Sequence, residues 1–173
     1  GSHLPGRNNV RVTPFKRDLS PDVGRFIAHC KWLLSQDCGL AVFGTNSEAN
    51  SMSARERMGL LDAIVSAGVP TDRMMPGTGA CSINEAAEVS AHATKLGVGG
   101  VLMLPPFYYK GVPEEGLYRF FSEVVQRVGD DRRCGHVLGR ERLAVAGVGV
   151  VQAVLCVLDL DGGEVVDGGP IEV

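Results

Sequence analysis

Two apolar runs in this chain end in groups that could do chemistry. The first is Val42-Phe43-Gly44-Thr45-Asn46-Ser47-Glu48; the second is Val101-Leu102-Met103-Leu104-Pro105-Pro106-Phe107-Tyr108-Tyr109-Lys110, which continues to Glu115-Gly116-Leu117. Each is an apolar run that ends in small or hydroxyl-bearing groups. A buried parallel strand has this pattern when it delivers polar side chains to the carboxyl edge of a sheet, where α/β enzymes place their chemistry. The two strand ends are therefore expected to share one site. The lysines are confined to Lys16, Lys31, Lys95 and Lys110, and no tyrosine follows Tyr118.

Four strand-then-helix units would position these groups. Strand starts near Val10, Leu40, Met74 and Val101 recur at the spacing of βα units joined by right-handed crossovers. Asn9–Thr13 reads as the first strand and Pro21–Leu34 as the helix after it; Gly39–Phe43 reads as the second strand. Ser53-Ala54-Arg55-Glu56 is a capping box that opens a helix with Met58, Leu61, Ile64 and Val65 on one face. A second box, Ser82-Ile83-Asn84-Glu85, opens a helix that runs to about Leu96 with Ala86, Val89, Ala93 and Leu96 inward, closed by Gly97. Gly100–Leu104 is the fourth strand. A fourth helix starts near Pro113 and turns Leu117, Phe120, Phe121, Val124 and Val125 inward.

The chain has 173 residues, 17 basic and 20 acidic, for a net charge of −3. That length suits one domain and falls short of the roughly 250 residues of a complete eight-unit βα barrel. Without a basic face or an uninterrupted apolar span, nucleic acid and membrane are not expected partners, and a cytoplasmic enzyme is the natural expectation. Gly1-Ser2-His3 reads as an expression-tag remnant. Cys30, Cys38, Cys81, Cys134 and Cys156 form no CxxC pair and read as small apolar residues. No metal-ligand spacing or glycine-rich phosphate cradle is present, so no metal or cofactor is expected.

After Asp130 the rhythm stops. Asp130-Asp131-Arg132-Arg133 is a charged break, Cys134–Arg142 has no periodicity, and Leu143–Leu160 is valine-rich. Asp161-Gly162-Gly163 and Asp167-Gly168-Gly169 follow, which reads as a β-hairpin around an Asp-Gly turn. The division is residues 4–130, an alternating α/β unit, and residues 131–173, an anomalous β-like tail.

Taken together and in order, Thr13-Pro14-Phe15, Gly44-Thr45-Asn46-Ser47-Glu48, Ser53 to Arg57, Gly77-Thr78-Gly79 and Pro106-Phe107-Tyr108-Tyr109 with Glu115-Gly116-Leu117 resemble the dihydrodipicolinate synthase and N-acetylneuraminate lyase family over about residues 9–130. The resemblance implies a TIM (β/α)8-barrel fold, of which this chain carries about the first four βα units. It also implies a class I aldolase or lyase acting on pyruvate or another 2-keto acid through a lysine Schiff base. Thr45 and Asn46 match the loop that binds the keto-acid carboxylate. Thr45 and Tyr108 match catalytic groups, the tyrosine relaying protons and lying at a subunit contact. Glu48 is expected to brace the loop. Asn46 and Ser47 depart from the family's threonine and glycine at their positions.

The fifth-strand tyrosine and sixth-strand lysine of that family have no match here, since Cys134–Val173 contains neither residue type. Lys110 reads as an exposed loop lysine, and His29 and His92 as ordinary helix residues. The expectation is a family lyase, truncated or altered and inactive in Schiff-base chemistry, with damage to the reading frame near residue 131 as the cause. The alternative is a non-catalytic half-barrel that keeps the carboxylate loop and a subunit interface. A poorly covered edge at the fourth strand, together with the resemblance, predicts a homo-oligomer.

Overall fold

The computed structural model describes residues 12–129 in full, and residues 8–9, 145–148, 151–154 and 156–159 as backbone strands. β1 (Asn8–Asn9) pairs in parallel with β2 (Gly39–Leu40), in the register Asn8 to Gly39 and Asn9 to Leu40. β1 is placed at Asn8–Asn9, earlier than the Asn9–Thr13 expected from sequence. Between them α1 (Val23–Ser35) starts two residues later than Pro21, because the Asp22 carboxylate accepts the Arg25 amide and so caps the helix there.

β2 is also shorter than expected, since Phe43 takes φ +60° and leaves the extended region. Its ladder nonetheless runs on. The amides of Met75 and Gly77 donate to the carbonyls of Leu40 and Val42, at 2.8 and 2.7 Å. On the other side of the same segment, Thr78 N donates to Leu102 O at 2.8 Å and Leu102 N to Pro76 O at 2.9 Å. Both bridges, Leu40 to Met74 and Gly77 to Leu102, are parallel. Residues 74–78 thus link β2 to β3 (Gly100–Met103) without forming a regular strand, and Pro76, which has no N–H to give, lies in the gap.

Three further helices cover this ladder: α2 (Ala54–Ser66), α3 (Ile83–Lys95) and α4 (Glu114–Gly129). Each packs on its predecessor, α1 on α2, α2 on α3 and α3 on α4. Leu40, Met74, Val101 and Met103 from the ladder and Phe26, Leu61, Ile64 and Val124 from the helices are fully or almost fully buried in one core. In α2 the buried stripe is Arg57, Leu60, Leu61 and Ile64; Met58 and Val65, expected inward, are half-buried. Gly97 closes α3 at φ +74°, a left-handed conformation that suits glycine. In α4, Phe120, Phe121, Val124 and Val125 are buried as the pattern required, joined by Val128, while Leu117 is half-buried.

The first capping box forms in both directions: Ser53 accepts the Glu56 amide, and Glu56 accepts the Ser53 amide at 2.8 Å. The second forms in only one. Ser82 caps the Glu85 amide, but the Glu85 carboxylate is drawn away by Arg57 at 3.1 Å.

Beyond α4, β4 (Val145–Val148) and β5 (Val151–Val154) pair antiparallel as a hairpin, and β6 (Cys156–Asp159) pairs antiparallel with all four residues of β3. The edge of the fourth strand is therefore covered by the chain's own tail. The hairpin falls before Asp161-Gly162-Gly163, and that stretch lies outside the described residues.

Candidate functional site

The loop after β2 is built from two short 3-10 turns, Thr45–Ser47 and Ala49–Ser51, joined by Glu48 in the left-handed region at φ +53°. The Gly44 carbonyl closes the first turn by accepting Ser47 N at 3.0 Å. Thr45 and Asn46 open that turn, so their amides precede its hydrogen bonding, and both side chains are exposed.

The segment that follows β1 braces this loop. Thr13 N donates to the Glu48 carboxylate, and the Thr13 hydroxyl donates to Ser47 O at 2.8 Å. Glu48 therefore serves as a loop brace, as expected from sequence, and Thr13 is its partner. Ser47 and Thr78 are completely buried, and their hydroxyls have no hydrogen-bond partner among the described residues.

Gly77-Thr78-Gly79 lies between the ends of β2 and β3. A Cβ on Gly77 would stand 2.0 Å from Phe43 O, and one on Gly79 would stand 2.7 Å from Leu104 N. Only glycine permits such close backbone approach, which accounts for both glycines of the motif.

After β3, Pro105 to Lys110 forms the second loop. Tyr108 is 77% exposed and Tyr109 60%, their rings edge to face with centroids 5.6 Å apart. No hydrogen bond or ring contact joins Tyr108 to Thr45 or Asn46 among the described residues; the two loops follow the carboxyl ends of β2 and β3 on the same sheet edge. Lys110 is an exposed loop lysine whose ammonium donates to the Phe107 carbonyl at 3.5 Å.

Of the remaining residues singled out in the sequence, His29 stacks on Trp32 within α1 and His92 of α3 meets Asp62 of α2 at 2.7 Å. Cys30 and Cys38 are buried and Cys81 is half-buried; burial pushes the Cys30 thiol up to about 11. No helix among the described residues is long and apolar enough to cross a membrane.

Sequence reasoning gave Arg57 a place in a motif but no role. Its side chain is 4% exposed, Nη1 donates to Gly79 O at 3.1 Å, and Nη2 meets Glu85 at 3.1 Å. The signal was present: Arg57 stands at the first position of the i, i+3, i+4, i+7 stripe completed by Leu60, Leu61 and Ile64. A charged residue at a core position calls for a specific partner.

Residues 9–132 match the Dihydrodipicolinate synthetase family. Among curated relatives, 4-hydroxy-tetrahydrodipicolinate synthase of Rhizobium meliloti (strain 1021) is 30% identical over 118 residues, which are 68% of this chain and 40% of that enzyme. Among solved structures, the dihydrodipicolinate synthase from Agrobacterium tumefaciens is 37% identical with a TM-score of 0.71, over 75% of this chain and 45% of that one. The chloride-inhibited dihydrodipicolinate synthase from Acinetobacter baumannii, complexed with pyruvate, is 27% identical with a TM-score of 0.63, over 72% and 43% respectively. The chain thus spans less than half the length of these proteins, and its fold is a partial barrel of their type.

Proposed function

The chain belongs to the dihydrodipicolinate synthetase family over residues 9–132, and on that premise we propose that it carries the carboxylate-binding half of a 2-keto-acid lyase site. Residues 4–130 are the first four βα units of that barrel and residues 131–173 a tail foreign to it. The Thr45–Asn46 turn receives the carboxylate of pyruvate or a related 2-keto acid through the two amides and the Thr45 hydroxyl. Backbone donors do not depend on side-chain identity, so the departures at Asn46 and Ser47 leave this capacity in place. Tyr108, from the neighbouring loop or from a second copy of the chain, supplies a phenol to the ligand.

The observation that carries this reading is the braced loop. Glu48 and Thr13 hold the Gly44–Ser47 turn from beneath, so that its first amides need no reorganisation to meet an anion.

An imine requires an amine held against the keto carbon. Cys134–Val173, where the family's Schiff-base lysine would fall, contains no lysine, and Lys110, in the loop after β3, is exposed and hydrogen-bonded to its own loop. Binding by this chain is accordingly reversible and non-covalent. The exposed Tyr108 and Tyr109 rings suit self-association, and a small soluble 2-keto acid as ligand agrees with a cytoplasmic setting.

Isothermal titration with pyruvate tests the reading. The unmodified chain should bind and Thr45→Val should bind about tenfold more weakly, the worth of one hydrogen bond to a charged group. Equal affinities, or no binding to the unmodified chain, would refute it.

A further inference from the structure

On the reading just given, the ligand lies between the loop after β2 and the loop after β3, so whatever sets the separation of those loops shapes the site. Gly77–Gly79 is wedged between them. A Cβ on Gly77 would lie 2.0 Å from Phe43 O and 3.0 Å from Gly44 N, and one on Gly79 would lie 2.7 Å from Leu104 N. Neither contact has slack, so a shift of the wedge must move Gly44, next to Thr45, or Leu104, at the start of the tyrosine loop.

One side chain holds the wedge from behind. Arg57, at the start of α2, donates to Gly79 O and to the Glu85 carboxylate, both at 3.1 Å. Burying a guanidinium is costly, and an apolar residue would fill this position of the α2 stripe without that cost. What the arginine supplies is a planar fork with two fixed directions, one to the wedge and one to the start of α3. The Glu85 partner is half-exposed, so solvent screens the ion pair, and the bond to Gly79 O is the contact that ties the arginine to the wedge.

We propose that Arg57 is a positioning residue of the 2-keto-acid site: by fixing Gly79 O it holds the Gly77–Gly79 wedge, and so the spacing between the Thr45–Asn46 turn and the loop that carries Tyr108. This rests on the function proposed above for the ligand but not for the wedge.

The test compares Arg57→Lys, which keeps the charge and loses the fork, with Glu85→Gln, which breaks the ion pair and leaves the bond to Gly79. Both are made in the full chain, and amide shifts without ligand, thermal midpoint and pyruvate affinity are recorded. Arg57→Lys should shift the amides of Gly44, Thr45 and Leu104 and weaken pyruvate roughly tenfold. Glu85→Gln should shift only amides near the start of α3 and leave pyruvate binding unchanged. Unmoved Gly44, Thr45 and Leu104 amides in Arg57→Lys would overturn the proposal. So would a Glu85→Gln variant that lowers the midpoint as far and loses as much affinity, since the effect would then be one of stability alone. If the unmodified chain does not bind pyruvate, the ligand reading falls and the amide shifts still decide the wedge. Arg57→Gln, which can reach only one of the two partners, is the second variant should the lysine form not fold, with the same outcomes.

Discussion

Replacing Gly77 by alanine should strongly destabilise the ladder. The new Cβ would lie 2.0 Å from the Phe43 carbonyl oxygen, 2.6 Å from its carbon and 3.0 Å from Gly44 N. These are backbone atoms of a segment whose neighbour Val42 is tied through its carbonyl to Gly77 N at 2.7 Å, so no rotamer change relieves the overlap. Roughly an ångström of backbone displacement is needed, and overpacking of a rigid site costs about 1–3 kcal/mol, here at or above the upper end. At 2–4 °C per kcal/mol for a chain of this size, the midpoint should fall by about 10 °C. Thermal and urea unfolding followed by circular dichroism measure it. Gly59→Ala is the control, because in mid-α2 its Cβ meets nothing within 4 Å; it should stabilise by about 0.5–1 kcal/mol. A Gly77→Ala variant within about 1 kcal/mol of the unmodified chain would refute the wedge geometry.

The buried Cys30 thiol, pushed up from its ordinary 9.0 to about 11, keeps its proton in the folded state while the unfolded chain gives it up near 9. Stability should therefore be intact below that pH and fall between about 9 and about 11, and Cys30→Ala should flatten that part of the curve; an unchanged slope in urea titrations would count against the burial. Ser53→Ala should cost about 1 kcal/mol at neutral pH through loss of the helix cap. Glu56, held below the usual carboxylate range first by the Ser53 amide and then by its hydroxyl, contributes stability above its ordinary pKa that is lost as pH falls through the lowered one, so the gap between Ser53→Ala and the parent should narrow in acid; a constant gap would contradict the bond from the Ser53 hydroxyl to that carboxylate. Incubation with pyruvate and borohydride should leave the mass of the chain unchanged, and a stoichiometric adduct on Lys110 or any other lysine would show that an imine forms after all.

The parts of this fold legible in the sequence are those written in neighbouring residues. Ser53 and Glu56 sit three apart and cap α2 by themselves; Gly97 ends α3 for a reason local to its own φ; the inward face of α4 is a period of aromatic and valine residues. What was not legible depended on distant partners. Ser82 and Glu85 spell the same box as Ser53 and Glu56, but Arg57, 28 residues before Glu85, competes for the carboxylate and wins. Nothing around Phe43 announces its positive φ, which truncates β2, and Pro76 interrupts the third segment through a missing donor whose effect depends on which neighbour lies on that side. At the site, the bracing role of Glu48 followed from its place in the loop, whereas its partner Thr13 lies in the segment that follows β1. The burial of the Ser47 and Thr78 hydroxyls likewise emerges only when the strand ends are brought side by side.

On the proposed function, the turn at Thr45–Asn46 receives the carboxylate of a 2-keto acid. An amide-resolved magnetic resonance titration of the full chain with pyruvate tests it most directly, using acetate as a carboxylate without the keto group. Saturable shifts centred on the Gly44, Thr45 and Asn46 amides are expected, stronger for pyruvate than for acetate and reversed on dialysis. Shifts centred elsewhere, or none at these three amides at saturating pyruvate, would contradict it.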